Sequence, residues 1–261
     1  MNELLDLATR AAASAADLLV QGWEQREVVA TKSSQTDIVT QMDQGSEALL
    51  VSTILAERPD DAILGEEGGS RNGTTGVTWV IDPLDGTVNY LYGFPSWAVS
   101  VGVLIDDRPT VGVVHAPALG TVWRGIADDF AEANGRPIRC GRVTEVSAAL
   151  VATGFGYDAQ VRAVQGVQVA ALLPQIRDIR RAGAAAVDMC WVAQGVVDAY
   201  FERGTHLWDR AGAMAICSGA GARVGGLLGD EPASNAMTVA ANPALFETLC
   251  ATLREVGVGS D

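Results

Sequence analysis

Trp79-Val80-Ile81-Asp82-Pro83-Leu84-Asp85-Gly86-Thr87 is an apolar strand that ends abruptly in two acids three residues apart. Acids so placed sit at the mouth of the strand. Pro83 fixes the turn and blocks extension of the ladder, while Gly86 lets the backbone approach a ligand closely. A helix beginning at Gly86-Thr87 points free N–H groups outward and forms an anion site beside the carboxylates. Anion and acids share one pocket only when metal ions lie between them.

Outward from this stretch, a second acidic strand end, Leu64-Gly65-Glu66-Glu67-Gly68-Gly69, comes earlier in the chain, and a third acid, Asp209, follows Trp208 at a helix start. Hard oxygen ligands without a histidine cluster point to Mg²⁺ or Mn²⁺ and away from zinc. Taken singly, Asp43 or Asp209 reads more simply as a turn or cap residue. Glu66, Asp82 and Asp85 together resist that reading.

Residues 2 to 25 place Leu4, Ala8, Ala11, Ala15, Leu18 and Leu19 at helical spacing, with a small-residue face suited to close packing. A second helix is expected from about Asp43, with a capping signal at Thr40-Gln41-Met42-Asp43 and a stop at Arg58-Pro59. Thr36 to Thr40, between them, reads as short and extended. The period then changes to short β-rich runs at 62–65, 78–81, 97–105, 110–114 and 120–124. This first half is two helices and a mostly antiparallel sheet. Strands near Leu150, Ile176 and Ala199 then alternate with helices near 160–173, 184–195, 209–218 and 242–256. With no repeat or flexible linker, the expectation is two closely packed subdomains, 1–143 with most of the acids and 144–261 with Asp209.

At 261 residues and 48% hydrophobic content the chain can bury a deep core. No apolar run is long enough to span a bilayer, and Glu3, Asp6, Arg10 and Asp17 interrupt the first helix, so a cytoplasmic protein without a membrane partner is expected. Cys140, Cys190, Cys217 and Cys250 form no C-x-x-C pair and read as buried free thiols. The 18 basic and 32 acidic side chains leave a formal net charge of -14, which repels nucleic acid. It repels a phosphate substrate as well, so phosphate chemistry here requires cations.

Several blocks resemble the inositol monophosphatase family. Residues 79–95, WVIDPLDGTVNYLYGFP, are similar to its W-hh-D-P-hh-D-G-T-x-N-F-hh-G-F-P signature, 65–69, GEEGG, to its G-E-E-S segment, and 206–213, HLWDRAGA, to its W-D-x-A-G block. Asp37-Ile-Val-Thr40-Gln-Met-Asp43 resembles D-L-V-T-x-x-D, and Gly183-Ala-Ala-Ala-Val-Asp-Met-Cys resembles the family's G-T/S-A-A-hh-x-hh-C. The blocks keep the family's order over residues 32 to 221, and the D-P-x-D-G-T block is the specific one.

The resemblance implies an α/β fold of the layered αβαβα sandwich type, usually a homodimer, with two or three Mg²⁺ per site. It implies a lithium-sensitive phosphatase acting on a small phosphorylated polyol, foremost myo-inositol monophosphate. Histidinol phosphate, fructose 1,6-bisphosphate and phosphoadenosine phosphate are the alternatives. Carried over by position, Glu66, Asp82 and the Leu84 carbonyl match a first metal site, and Asp82, Asp85 and Asp209 a second, with Glu66 serving a weaker third ion. Thr87, oriented by Asp43, matches the group that helps deprotonate the attacking water. Gly86 and Thr87 match the phosphate contacts, and Asp85, Ala185, Glu202 and Asp209 the remaining substrate contacts.

Departures from the pattern are Gly68 for Ser, Gly219-Ala-Gly-Ala222 for E-A-G-G, and a stretch from Gly125 to Gly135 that lacks the G-x-G-A-hh turn. Three rivals compete with the metal phosphatase. Cys217-Ser-Gly-Ala-Gly-Ala-Arg223 fits C-x5-R, but its flank reads as a helix where that phosphate loop follows a strand. Asp85-Gly86-Thr87 is similar to D-x-D-G-T, but its preceding acid is three residues back, with Pro83 between. A non-catalytic scaffold predicts a lost acid, and every matched acid is present. His115 reads as a strand-end residue, and His206 matches a position near the metals without being a ligand. Tyr90, Tyr92 and Trp97 are read as aromatic candidates for a dimer contact, or else for the core.

Overall fold

The computed structural model describes residues 1–22, 28–31, 38–68 and 70–259. Asp37, Gly69 and positions 23–25 of the first expected helix lie outside the described residues.

Helices α1 (Asn2–Gly22) and α2 (Gln41–Glu57) flank a short antiparallel pair, β1 (Val28–Thr31) with β2 (Ile38–Thr40). The second helix thus starts two residues before Asp43, which becomes a buried member of its first turn. Alanine decides how α1 packs. Ala8, Ala11, Ala12 and Ala15 are fully buried, and side chains this small let the helix lie close to the sheet beneath it.

That sheet runs in the order β3 (Ala62–Gly65), β4 (Val77–Asp85), β5 (Ala98–Ile105), β6 (Arg108–Ala116), β7 (Thr121–Ile126), β8 (Phe130–Ala133), β9 (Arg136–Pro137). Only β3 and β4 are parallel, as a mostly antiparallel sheet demands. The strands β8 and β9 are additions to the sequence reading. They fold through Asn134-Gly135, both at positive φ, the combination a two-residue hairpin turn requires. The altered stretch from Gly125 to Gly135 is therefore a plain meander.

On β4 the ladder pairs Asp82 with Ser100 and resumes at Asp85 with Ala98, so three steps on one strand oppose two on the other. This β-bulge at Pro83-Leu84 follows from the missing N–H of proline, and it turns the two acids out of the regular pleat. Past it, Gly86 adopts φ 88° and a Cβ there would stand 2.8 Å from the Ser96 carbonyl, so glycine is needed on both counts. Helix α3 (Thr87–Tyr92) follows.

A second sheet, in the order β11 (Asp178–Arg180), β10 (Leu150–Thr153), β12 (Ala199–Glu202), β14 (Thr238–Ala241), β13 (Arg223–Gly225), is mixed. Strands β13 and β14 were not foreseen. Alternation along these strands sends Val151, Ala199, Phe201 and Val239 to one core, shared with α7 (Pro243–Glu255), and Ala152, Tyr200 and Ala240 to another. That other core contains α5 (Ala185–Gln194) and α6 (Leu207–Gly219). Helix α4 (Ala159–Leu172) buries only Leu172 and runs along the outside.

The layers are therefore α1 and α2, the seven-stranded sheet, α5 and α6, the five-stranded sheet, and α4 with α7. This is the αβαβα sandwich expected from the sequence. The middle layer belongs by sequence to the second half, yet α6 packs on the sheet of the first half. Its approach depends on glycine, since a Cβ at Gly112 of β6 would overlap the carbonyl oxygen of Gly212 on α6. Gly112→Ala is expected to destabilise the protein by about 1–3 kcal/mol through forced separation of helix and sheet. Urea unfolding measures this, and unchanged stability would mean that α6 has room to retreat.

Candidate active site

The bulged end of β4 opens into a cavity of about 1070 Å³ between the two sheets. Glu66, Asp82, Leu84, Asp85, Gly86 and Thr87 line it from the first sheet. Ala185, Glu202 and Asp209 line it from the middle helices and the second sheet. Of the sequence-derived site residues only Asp43 is set back. It is fully buried on α2 and accepts from Thr87 Oγ1 at 3.3 Å. The same Thr87 hydroxyl lies 3.0 Å from the Leu84 carbonyl, so its single proton serves one acceptor at a time.

Local hydrogen bonds fix each acid. Asp82 Oδ1 accepts the Leu84 N–H at 2.9 Å across the bulge, and Ser46 of α2 holds the Pro83 carbonyl at 2.9 Å. Both oxygens of Asp85 receive the first N–H groups of α5, from Ala185 at 3.2 Å and Ala186 at 2.8 Å. Asp209 Oδ2 accepts the His206 N–H at 2.6 Å and closes a capping box at the head of α6. His206 caps that helix and stacks on Trp208 at 4.7 Å. His115 lies near the end of β6.

Asn89, within the decisive block, donates to the Ser96 carbonyl at 2.6 Å and the Ala182 carbonyl at 2.8 Å, tying the turn before α5 to the first sheet.

Burial, then Glu66, Asp85, Asp209 and Asp43, holds the Asp82 carboxyl well above the usual range. Burial raises Asp85 to about 7 against the pull of the α5 N–H groups, with Glu202 and Glu66 adding to the rise. Asp209 is likewise raised well above the ordinary value, by burial first and Asp85 next. Among the described residues, no arginine or lysine pairs with Asp82, Asp85 or Asp209, and no three acids stand at ligating separation. Oxygen-only donors that repel one another in a buried cleft suit a hard divalent cation, whose attraction draws them together.

Sequence reasoning missed several contributors. Arg181, Phe155 and Tyr157 line the cavity, as do Gln160 and Gln165 of α4, which carry no motif. Asp188, fully buried on α5, and Tyr200, fully buried on β12, lie behind Glu202. Their one legible signal was spacing, because Tyr200 and Glu202 are two apart on a strand and share a face.

Tyr90 and Trp97 are fully buried and meet edge to face at 5.0 Å, and the Tyr90 hydroxyl donates to the Leu19 carbonyl of α1, so of the three aromatic candidates only Tyr92 is exposed. Cys217 is a buried helical thiol whose Sγ donates to the Met189 carbonyl, and burial pushes it up to about 12. Arg223 sits on β13, paired with Glu247. All four cysteines are free, three of them buried and Cys140 partly so.

Strand-end oxygen donors facing a cleft between stacked mixed sheets are compatible with metal-dependent phosphatase chemistry. The chain belongs to the inositol monophosphatase family, whose model matches residues 1–257. It is 43% identical over 237 residues to the inositol-1-monophosphatase of Mycobacterium bovis, covering 87% of this chain and 81% of that one. It is 35% identical over 238 residues to a Haemophilus influenzae protein named Nus factor SuhB, covering 90% and 88%. The solved structure of inositol monophosphatase from Anabaena superposes with a TM-score of 0.86 at 33% identity, over 98% of this chain and 97% of that one. The family is generally metal-dependent. No helix among the described residues is long and apolar enough to cross a membrane.

The raised acids set a pH dependence. For Asp85 the carboxyl moves from 3.8 to about 7 on folding, so between those values the folded protein binds more protons than the unfolded chain. Stability is then fully present below the lower value and falls as pH rises through the window. In EDTA, Tm should decline from about pH 4 to about pH 7, and Mg²⁺ should raise Tm more at the upper end. A Tm independent of pH in EDTA would contradict this account.

Proposed function

We propose that the chain hydrolyses a small phosphate monoester, foremost myo-inositol monophosphate, with water as the direct nucleophile. The carrying observation is Asp82, buried at the bulged strand end within the field of Glu66, Asp85, Asp209 and Asp43. Glu66, Asp82 and the Leu84 carbonyl would hold one Mg²⁺, Asp82, Asp85 and Asp209 a second, and Glu66 a weaker third. Bound there, Mg²⁺ supplies the positive charge that acidifies water and stabilises the attacking and leaving oxygens of an in-line displacement.

The side chains do the rest. Thr87 turns its lone pairs toward the attacking water and, as it takes up the water's proton, passes its own hydroxyl proton to the Asp43 carboxylate. N–H groups of Gly86 and Thr87 contact the phosphate, while Asp85, Ala185, Glu202 and Asp209 meet the polyol. No covalent enzyme intermediate is required. We place most metal ligands in a subdomain of residues 1–143 and Asp209 with Glu202 in one of 144–261, and expect a homodimer. The name of the Haemophilus relative concerns that protein. The retained acids support catalysis here over a purely scaffolding role.

Activity is expected to vanish in EDTA, return with Mg²⁺ and survive thiol alkylation, whereas alkylation-sensitive turnover in EDTA would restore the Cys217 reading. Asp82→Asn should lower kcat by about 10²–10³ or more, the scale of losing a major electrostatic stabiliser, and near-normal turnover at saturating Mg²⁺ would end the bridging assignment. Phosphate release from inositol, histidinol, fructose 1,6-bis- and phosphoadenosine phosphates ranks the substrates. Inhibition by millimolar Li⁺, uncompetitive or mixed against substrate and altered by Asp209→Asn, is expected. An active enzyme indifferent to Li⁺ would contradict the second site as drawn.

A further inference from the structure

Glu202 closes β12 on the face that looks toward α5, two residues beyond Tyr200. The Tyr200 side chain is fully buried, and its hydroxyl donates to Glu202 Oε2 at 2.8 Å. This phenol has one proton to give, so Oε1 is left to accept from another donor.

The parallel neighbour β10 ends at Thr153, opposite Phe201, and Thr153 Oγ1 donates to the Phe201 carbonyl at 2.8 Å. Gly154 comes next. It is not among the glycines at positive φ, so its backbone conformation suits any residue. The space where its Cβ would be is occupied, because a Cβ there would overlap the carboxyl carbon and both oxygens of Glu202. The absent side chain of one strand thus makes a notch that the carboxylate of the next strand fills. Glu202 lines the cavity, and Gly154 lines a small adjoining pocket that Glu202 shares, so the notch lies beside the cavity wall.

We infer that Gly154 and Tyr200 are positioning residues that seat the Glu202 carboxylate to accept a hydroxyl of the substrate's leaving group. The inference rests on the proposed role of Glu202 at the polyol. The Tyr200 hydroxyl bonds Glu202 and not the strand-end acids of β4, so the contribution assigned to the pair is to selection of the alcohol. The notch also predicts what a methyl group does at position 154: it displaces the end of a flexible side chain and leaves the strand in place.

The full chain with Mg²⁺ is assayed on myo-inositol 1-phosphate and on phenyl phosphate, whose leaving group carries no further hydroxyl. Gly154→Ala and Tyr200→Phe should each raise KM for inositol phosphate about tenfold with kcat nearly kept, and change kcat/KM for phenyl phosphate by less than about twofold. Added to Glu202→Gln, each should cost less than about twofold more, because all three act through one carboxylate. Equal losses on both substrates, or full additivity with Glu202→Gln, would overturn the inference. If Glu202→Gln raises KM and neither positioning variant does, the notch alone is refuted and the polyol role of Glu202 stands. If Glu202→Gln leaves KM unchanged, both fall. Thermal unfolding accompanies each variant, and Tyr200→Phe, which removes one oxygen, carries the test should Gly154→Ala fail to fold.

Discussion

Carboxylates buried together repel one another, and the region around Asp82 is organised by that repulsion. Burial raises Asp82, Asp85 and Asp209, and each is pushed further by other acids of the same cleft. A cleft so composed takes up either protons or cations, since charge left uncompensated in a buried site is costly. The net charge of -14 sharpens the requirement for any anionic substrate. In the proposed function, acids that by charge alone exclude phosphate would bring it in through the cations they bind.

The middle helix layer answers part of that repulsion with backbone dipoles. Helix α5 directs its first N–H groups at Asp85, and the head of α6 carries Asp209. The positive ends of two helices therefore meet the acids of a strand end from the opposite sheet. This holds only while α6 lies hard against the seven-stranded sheet, and Gly112 against Gly212 makes the approach possible. Packing and electrostatics are thus one problem: a side chain between helix and sheet would also withdraw Asp209 from its neighbours.

The rival chemistries fail on location. Cys217 lies in the last turn of α6, buried, with its thiol hydrogen bonded and pushed up to about 12, where a thiolate nucleophile needs a helix head and a lowered value. Asp85 has its partner acid, Asp82, three residues back across Pro83 and the β-bulge, where the D-x-D-G-T arrangement needs two. Tyr90 and Trp97, readable from the sequence as contact or as core residues, lock α3 to α1 and to the sheet. A residue's chemistry is read from its letter, but its availability depends on what surrounds it.

The sequence by itself determined the strand that ends in Asp82 and Asp85, the break at Pro83, the glycine at 86, and most helices. Each depends on local properties: alternation, a missing N–H, a missing Cβ. Short strands such as β13 and β14 were not read, because their pairing depends on partners elsewhere in the sheet, whereas the hairpin between β8 and β9 is marked locally by Asn134-Gly135. The family resemblance grouped Glu66, Asp82, Asp85, Glu202 and Asp209 and tied Thr87 to Asp43; the tertiary structure supplies the cavity and the hydrogen bond that join them, and it alone decided that Gly154 makes room for Glu202. No local signal encodes those meetings, since they join residues from separate strands and helices, and the reason is physical: distance along a chain does not set distance in a packed interior, where layers and close contacts choose the neighbours.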